Sequence, residues 1–132
     1  KLHRNLGKIY LGSIFFLGVP TGGYMAIFAN GGLAAQIGFT ILTFLWLGST
    51  YLAYKYIREM DIEAHQRWMI RSYAITFAAA TLRFWTMLLS AYPEIFTNLG
   101  VLDVRDAITA SCAWLAWIPN IIVAEMIIRS HK

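Results

Sequence analysis

Lys8 and Lys55 bracket 46 consecutive positions, 9 to 54, with no charged side chain among them. One helix needs roughly 20 apolar residues to cross the hydrocarbon core of a bilayer. The stretch therefore holds two crossings, and Asn30-Gly31-Gly32 near its middle supplies a turn just long enough to reverse the chain outside the lipid. Composition agrees. Of the 132 residues, 58% are hydrophobic and 14% charged, against about 45 to 50% and about 25% in an ordinary soluble domain. A soluble bundle would need a polar face on each helix, and the second hydrophobic run offers almost none.

The expectation is an all-α fold: a single four-helix transmembrane bundle over residues 1–132. Helix one runs from about Ile9 to Ala29 and helix two from about Leu33 to Tyr56. A polar connection follows, with Arg58, Glu59, Asp61, Glu63 and His65 in quick succession. Helix three runs from about Trp68 to Tyr92 and stops at Pro93, because proline disfavours helical geometry in the residue before it. Helix four runs from about Ala107 to Ile128. The chain begins with Lys1 rather than Met, which predicts a trimmed or processed product. No cleavage pattern follows the first apolar run, which reads as a retained helix.

The net charge of +4 would suit nucleic acid, but the basic residues gather at the ends of the hydrophobic runs, as at a membrane surface. Lys1, Arg4, Lys8, Lys55, Arg58, Arg67, Arg71, Arg129 and Lys132 fall on one side and Arg105 alone on the other. Lysine and arginine favour the cytoplasmic side, so both termini are predicted to be cytoplasmic. Tyr51, Tyr54, Tyr56, Trp68, Tyr73 and Tyr92 lie near the expected interfaces, where amphipathic rings prefer to sit.

Within the spans, Gly18-x-x-x-Gly22 has the spacing that lets membrane helices approach closely, and Pro20 between them predicts a kink. Pro119-Asn120 marks a second kink, with Trp114 and Trp117 just before it. Cys112, the single cysteine, excludes an internal disulfide and a cysteine-pair metal site and reads as an apolar core residue.

A few polar groups need explaining. Arg83 lies roughly 24 Å along helix three at 1.5 Å per residue, so it should face protein or water and contact an acidic or carbonyl group, with Glu94, Asp103 and Asp106 of the outer loop as the candidate acids, either as a structural ion pair or in a substrate or cofactor cleft. Ser72, Thr76, Ala79 and Ser90 share its helical face, which extends back to His65. Glu125 is expected to pair with Arg129 one turn on, or with Arg71 across to helix three. His3 and His65 precede helices that start on the same side, with Arg4, Arg67, Trp68 and Arg71 close by. Such a layer suits a lipid interface. It also suits haem b, with imidazoles on iron, arginines on propionates and Trp68 against the macrocycle. A metal would need further oxygen ligands, from Asp61 or Glu63. His131 reads as solvated. No phosphate loop, nucleophile elbow or central acidic pair is present.

Two segments resemble a known family. Lys1-Leu-His-Arg-Asn-Leu-Gly-Lys-Ile-Tyr10 looks like a His-Arg-x-x-Gly-x-x-Tyr motif, and His65-Gln-Arg-Trp-Met-Ile-Arg-Ser-Tyr-Ala74, continued by Thr81-Leu-Arg83, looks like a central signature. The family is a group of predicted bacterial membrane proteins, domain of unknown function two-three-zero-six. The resemblance covers nearly the whole chain and makes His3, Arg4, Gly7, Tyr10, His65, Arg67, Trp68, Arg71 and Arg83 motif positions. It implies a multi-pass protein of the bacterial cytoplasmic membrane, with a further hydrophobic segment upstream, and no established activity. The histidines at helix ends also bear an architectural likeness to small b-type membrane cytochromes.

The expected function is that of a non-catalytic or accessory subunit of a membrane complex, with membrane lipid and a larger assembly as partners and no nucleic acid. The alternative is a redox protein holding haem, quinone or metal through the His/Arg cluster. A transporter using Arg83 as substrate charge is a third reading, weakened by the lack of an evident inverted repeat.

Overall fold

The computed structural model describes residues 2–130. Four helices long and apolar enough to cross a membrane follow one another: Leu2–Phe28, Gly32–Arg58, Ile62–Ala91 and Val104–Ser130. No strand occurs among the described residues. The turns between the spans put both chain ends on the side of the 59–61 turn. We call that side the terminal half, and the side of the Asn30 turn and the 92–103 connection the loop half. Lys1, His131 and Lys132 lie outside the described residues.

Two helix starts differ from the sequence expectation. The first span begins at Leu2, not near Ile9, and the third at Ile62, not near Trp68. Hydropathy marks where a helix enters lipid, whereas the backbone continues for another turn or two through the polar interface. At the third span the start is set by Asp61, whose Oδ1 accepts the Ala64 N–H at 2.9 Å. Asp61 is therefore a helix cap. Asp103 does the same for the fourth span, accepting from Asp106 N–H at 3.2 Å.

The packing is inside-out relative to a soluble protein. Most buried positions are small or hydroxylated, among them Ala35, Ala53, Ala113, Thr50 and Ser72, all 0% exposed, with Phe39 and a few isoleucines between them, while Phe16, Leu33, Met87 and Phe44 face outward. Lipid tails are as apolar as leucine, so membrane helices associate through close packing of small residues and through interhelical hydrogen bonds. Span two is the hub, packing on the other three; spans three and four pack along both their halves; span one leans on span two.

Glycine sets that last contact. A Cβ added at Gly18 would meet the Trp46 ring at 2.6 Å, and one at Gly22 would meet Thr43 Oγ1 at 2.7 Å. The close approach expected from the Gly18 and Gly22 spacing is thus realised against span two. Pro20 has no N–H to give its helix, and the chain absorbs this in a π-helical turn over Ile14–Gly18, closed by Val19 N–H donating to the Ile14 carbonyl. In the fourth span, helix gives way to a turn at Ala116 and Trp117, just before Pro119. This break leaves the Trp117 indole N–H buried without a hydrogen-bond partner among the described residues. Cys112 is 1% exposed, in the core as expected.

Candidate functional site

The polar residues form two distinct arrangements, one in each half of the bundle. In the terminal half they meet at the junction of spans one, two and three. Tyr10 reaches across from span one, its hydroxyl 2.8 Å from Ser72 Oγ and 2.9 Å from Thr76 Oγ1. Thr50 of span two lies 2.7 Å from the same Ser72 Oγ, and the Trp46 indole N–H donates to Thr76 Oγ1 at 2.9 Å. Thr76 donates its own proton to the Ser72 carbonyl at 2.9 Å.

Each hydroxyl carries one proton, so counting donors fixes the direction of the chain. With the Thr76 proton engaged, Tyr10 must donate to Thr76. Ser72 then donates to Tyr10, and Thr50 donates to Ser72. Every hydroxyl donates once and none is left over, a fully satisfied network of the kind that rigidifies a core. Rings reinforce it, with Tyr10 and Tyr73 centroids 5.1 Å apart.

Charged groups of the signature are engaged close by. Arg71 grips Glu125 of span four with two bonds, Nε to Oε1 at 2.6 Å and Nη2 to Oε2 at 3.1 Å. Its guanidinium lies over the Trp68 ring, 4.6 Å from the centroid. Of the two partners expected for Glu125, the interhelical one is therefore made, with both side chains about a quarter to a third exposed. A bidentate carboxylate pair stacked on an aromatic is the geometry in which arginine is not replaceable by lysine. Arg67 instead turns to Glu63 on its own helix. Glu63 is thus paired with Arg67 and Asp61 caps the third span, and no group of three or more His, Cys, Asp or Glu side chains suited to a metal occurs among the described residues.

The histidines part company. His65 is partly buried, its Nδ1 2.7 Å from the Ala53 carbonyl of span two. A carbonyl only accepts, so Nδ1 is the donor in this bond, and Nε2 makes no hydrogen bond among the described residues. His3 and Arg4 are exposed on the first helical turns of span one. No polar contact joins either of them to His65, Arg67, Trp68 or Arg71 among the described residues. Only part of the predicted His/Arg layer is thus brought together, and the part that is, Trp68 with Arg71, is tied to span four through Glu125, which was not among the layer's expected members.

Near the middle of the fourth span Asn120 fills the space beside the break. Its Nδ2 lies 3.0 Å from Thr81 Oγ1, 3.2 Å from the Ala74 carbonyl and 3.1 Å from the Ala116 carbonyl.

In the loop half the same face of span three opens. Ala79, Arg83 and Ser90 continue the stripe begun by Ser72 and Thr76, but here they line a lateral groove of ≈ 510 Å³ with Met25 of span one and Leu82, Thr86 and Met87. Beside it, and sharing Met25, Leu82 and Thr86, a second hollow of ≈ 320 Å³ runs in to Asn30, Phe39 and Cys112.

The expected burial of Arg83 and its pairing with Glu94, Asp103 or Asp106 are not what the structure has, whereas the carbonyl contact expected as the alternative to an acidic one is made. Arg83 is exposed, and no acidic group lies within ion-pair distance among the described residues. Asp103 is occupied as a cap. The guanidinium folds back instead, Nη1 donating to the Ala79 carbonyl at 2.8 Å. This direction is dictated by the helix, whose side chains lean toward its N-terminus.

Sequence reasoning named Tyr10 only as a motif position and missed Trp46 and Thr50. Their signal was present: hydrogen-bonding side chains inside an otherwise uncharged pair of helices.

No curated protein and no solved structure matches the chain. Residues 1–128 match the family described as predicted membrane protein (DUF2306), and the chain belongs to that family of membrane proteins.

Proposed function

We propose that this protein is a non-catalytic component of a bacterial cytoplasmic membrane, an accessory subunit of a larger membrane complex with both termini in the cytoplasm. The closed hydrogen-bond chain through Tyr10, Ser72, Thr76, Thr50 and Trp46 carries this reading. A catalytic or proton-transferring set needs a group left free to bind or exchange, whereas here each hydroxyl proton of the signature has an internal acceptor. The Arg71 and Glu125 clamp supports it in the same way. Span one, leaning on span two, leaves flanks for lateral contact with a partner. Extraction of the native protein into polymer-bounded lipid discs, followed by native mass spectrometry, tests the proposal. A fixed stoichiometric partner is expected; the chain alone, surrounded only by lipid, would overturn it. Glu59→Cys in the exposed 59–61 turn should be labelled only from the cytoplasmic side, as the distribution of lysine and arginine requires.

A second reading is favoured by one observation. His65 donates from Nδ1 to a backbone carbonyl, which orients the ring and leaves Nε2 available, the arrangement of a metal- or haem-ligating imidazole. Reduced and oxidised absorption spectra of the native protein decide it. A haem band lost in His65→Ala would establish the redox reading, and a featureless visible spectrum would remove haem.

A further inference from the structure

We propose that the lateral face of span three around Arg83 receives a transmembrane helix of the partner subunit that carries a carboxylate at the level of the bilayer centre. The proposal deepens the accessory-subunit reading and rests on it.

Depth is the first constraint. The guanidinium is held at the Ala79 carbonyl, about 18 Å along the helix from Ala91 at one end of the span and about 16 Å from Trp68 near the other interface. The hydrocarbon core is about 30 Å thick, so the charge lies near its middle. Phosphates of either leaflet lie outside that core, too far along the helix to meet it. An ionised side chain within a membrane calls for a partner at its own depth, and a second membrane span can hold an opposite charge there.

The chain does not neutralise this charge itself. A guanidinium has five N–H donors, and the one hydrogen bond of Arg83 among the described residues goes to Ala79. Glu63 and Glu125, in the terminal half, are paired with Arg67 and Arg71. Glu94, Asp103 and Asp106 lie at the outer end of the loop half, beyond ion-pair distance. A second copy of the chain, inserted in the same sense, would set Arg83 level with its own Arg83 and bring no carboxylate to the middle of the bilayer. Charge complementarity therefore selects a different chain.

The surface admits such a helix. Arg83 is exposed, and so are Ala79 and Thr86, one turn to either side of it on the same face. Side chains this small let a membrane helix approach closely, which brings its carboxylate within reach of the guanidinium. Span one leaves the face open, because in this half it packs on span two and only Met25 reaches the edge of the groove.

A defined probe tests the chemistry. The whole protein, labelled at Glu59→Cys in dioleoyl phosphatidylcholine vesicles, is titrated with synthetic transmembrane helices of leucine and alanine that carry either glutamate or leucine at their centre. Association is read by energy transfer, and a central residue keeps its level whichever way the helix inserts. The glutamate helix should associate about tenfold more tightly than the leucine helix, the size that model membrane helices show for one polar contact. Moving the glutamate two turns from the centre should remove the advantage. R83Q should abolish it, and R83E should transfer it to a helix with a central lysine. Equal association of the glutamate and leucine helices with wild type, or an advantage that persists in R83Q, overturns the proposal; the first of these comparisons alters only the probe and needs no variant to fold.

In native membranes the same substitution separates the two readings. Wild type and R83K, extracted into polymer-bounded lipid discs, should retain the partner seen by native mass spectrometry, whereas R83Q should retain about tenfold less. A partner held equally by R83Q, or one without an acidic residue in its spans, overturns this proposal and leaves the accessory role standing. Wild type without any partner overturns the accessory role, and the proposal falls with it. A quinone or lipid retained in place of a protein, and lost in R83Q, overturns the proposal as well.

Discussion

The two halves of span three carry the same kind of face and meet different surroundings. In the terminal half, Ser72 and Thr76 are enclosed by Tyr10, Trp46 and Thr50, each from a neighbouring span, and every hydroxyl proton has an acceptor. In the loop half, Arg83 and Ser90 continue the stripe into a groove open at the side. A helical stripe fixes which residues share a face. What the face becomes is decided by whether a second helix closes over it, and here the Trp46 side chain, between Gly18 and Thr76, stands where the closed part gives way to the open part.

If that comparison is right, substitutions should act unequally along the bundle. The largest effect is expected at Gly18→Leu, where even a Cβ lies 2.6 Å from the Trp46 ring. Forcing spans one and two apart should cost about 3 kcal/mol, at the upper end for overpacking, read as a lowered midpoint of unfolding in detergent; an unchanged midpoint would mean that the two spans are not in close contact. Ser72→Ala comes next. It removes the hydroxyl that joins Thr50 to Tyr10, and interhelical hydrogen bonds in membrane proteins are worth about 0.6 kcal/mol on average, so a loss of about 1 kcal/mol is expected. Arg83→Leu should change stability least, within about 0.5 kcal/mol in a zwitterionic detergent, as for surface positions generally. A loss as large as that of Gly18→Leu would show that Arg83 has an internal partner and that the loop half is as closed as the terminal half.

The four spans were legible in the sequence because a bilayer demands long uncharged runs, and the 46 uncharged positions leave little choice. The helix starts were less so. Hydropathy falls silent at the interface, yet Asp61, followed by Glu63 in the first turn, was a readable capping signal. For the site, periodicity alone placed His65, Ser72, Thr76 and Arg83 on one face. Whether Glu125 meets Arg71 or Arg129 depends on how span four is rotated against span three, which no local pattern encodes. Arg83 was legible only in part. The cost of a charge in lipid, about 2.5 to 3.5 kcal/mol at a helix centre on insertion scales, argued for an acidic or carbonyl partner; Asp103 caps a helix, and the guanidinium meets its own helix's Ala79 carbonyl.

The central claim is that the signature residues of the terminal half fasten the spans to one another, and a double-mutant cycle on Arg71 and Glu125 addresses it most directly. Glu125→Leu alone should cost about 2 kcal/mol, less than the 3 to 5 of a fully buried pair because both side chains retain some exposure. Arg71→Met alone should cost a similar amount. The account predicts that the double variant recovers much of the loss, with a coupling of about 1 to 2 kcal/mol. Strictly additive losses, with no coupling between the two positions, would contradict it.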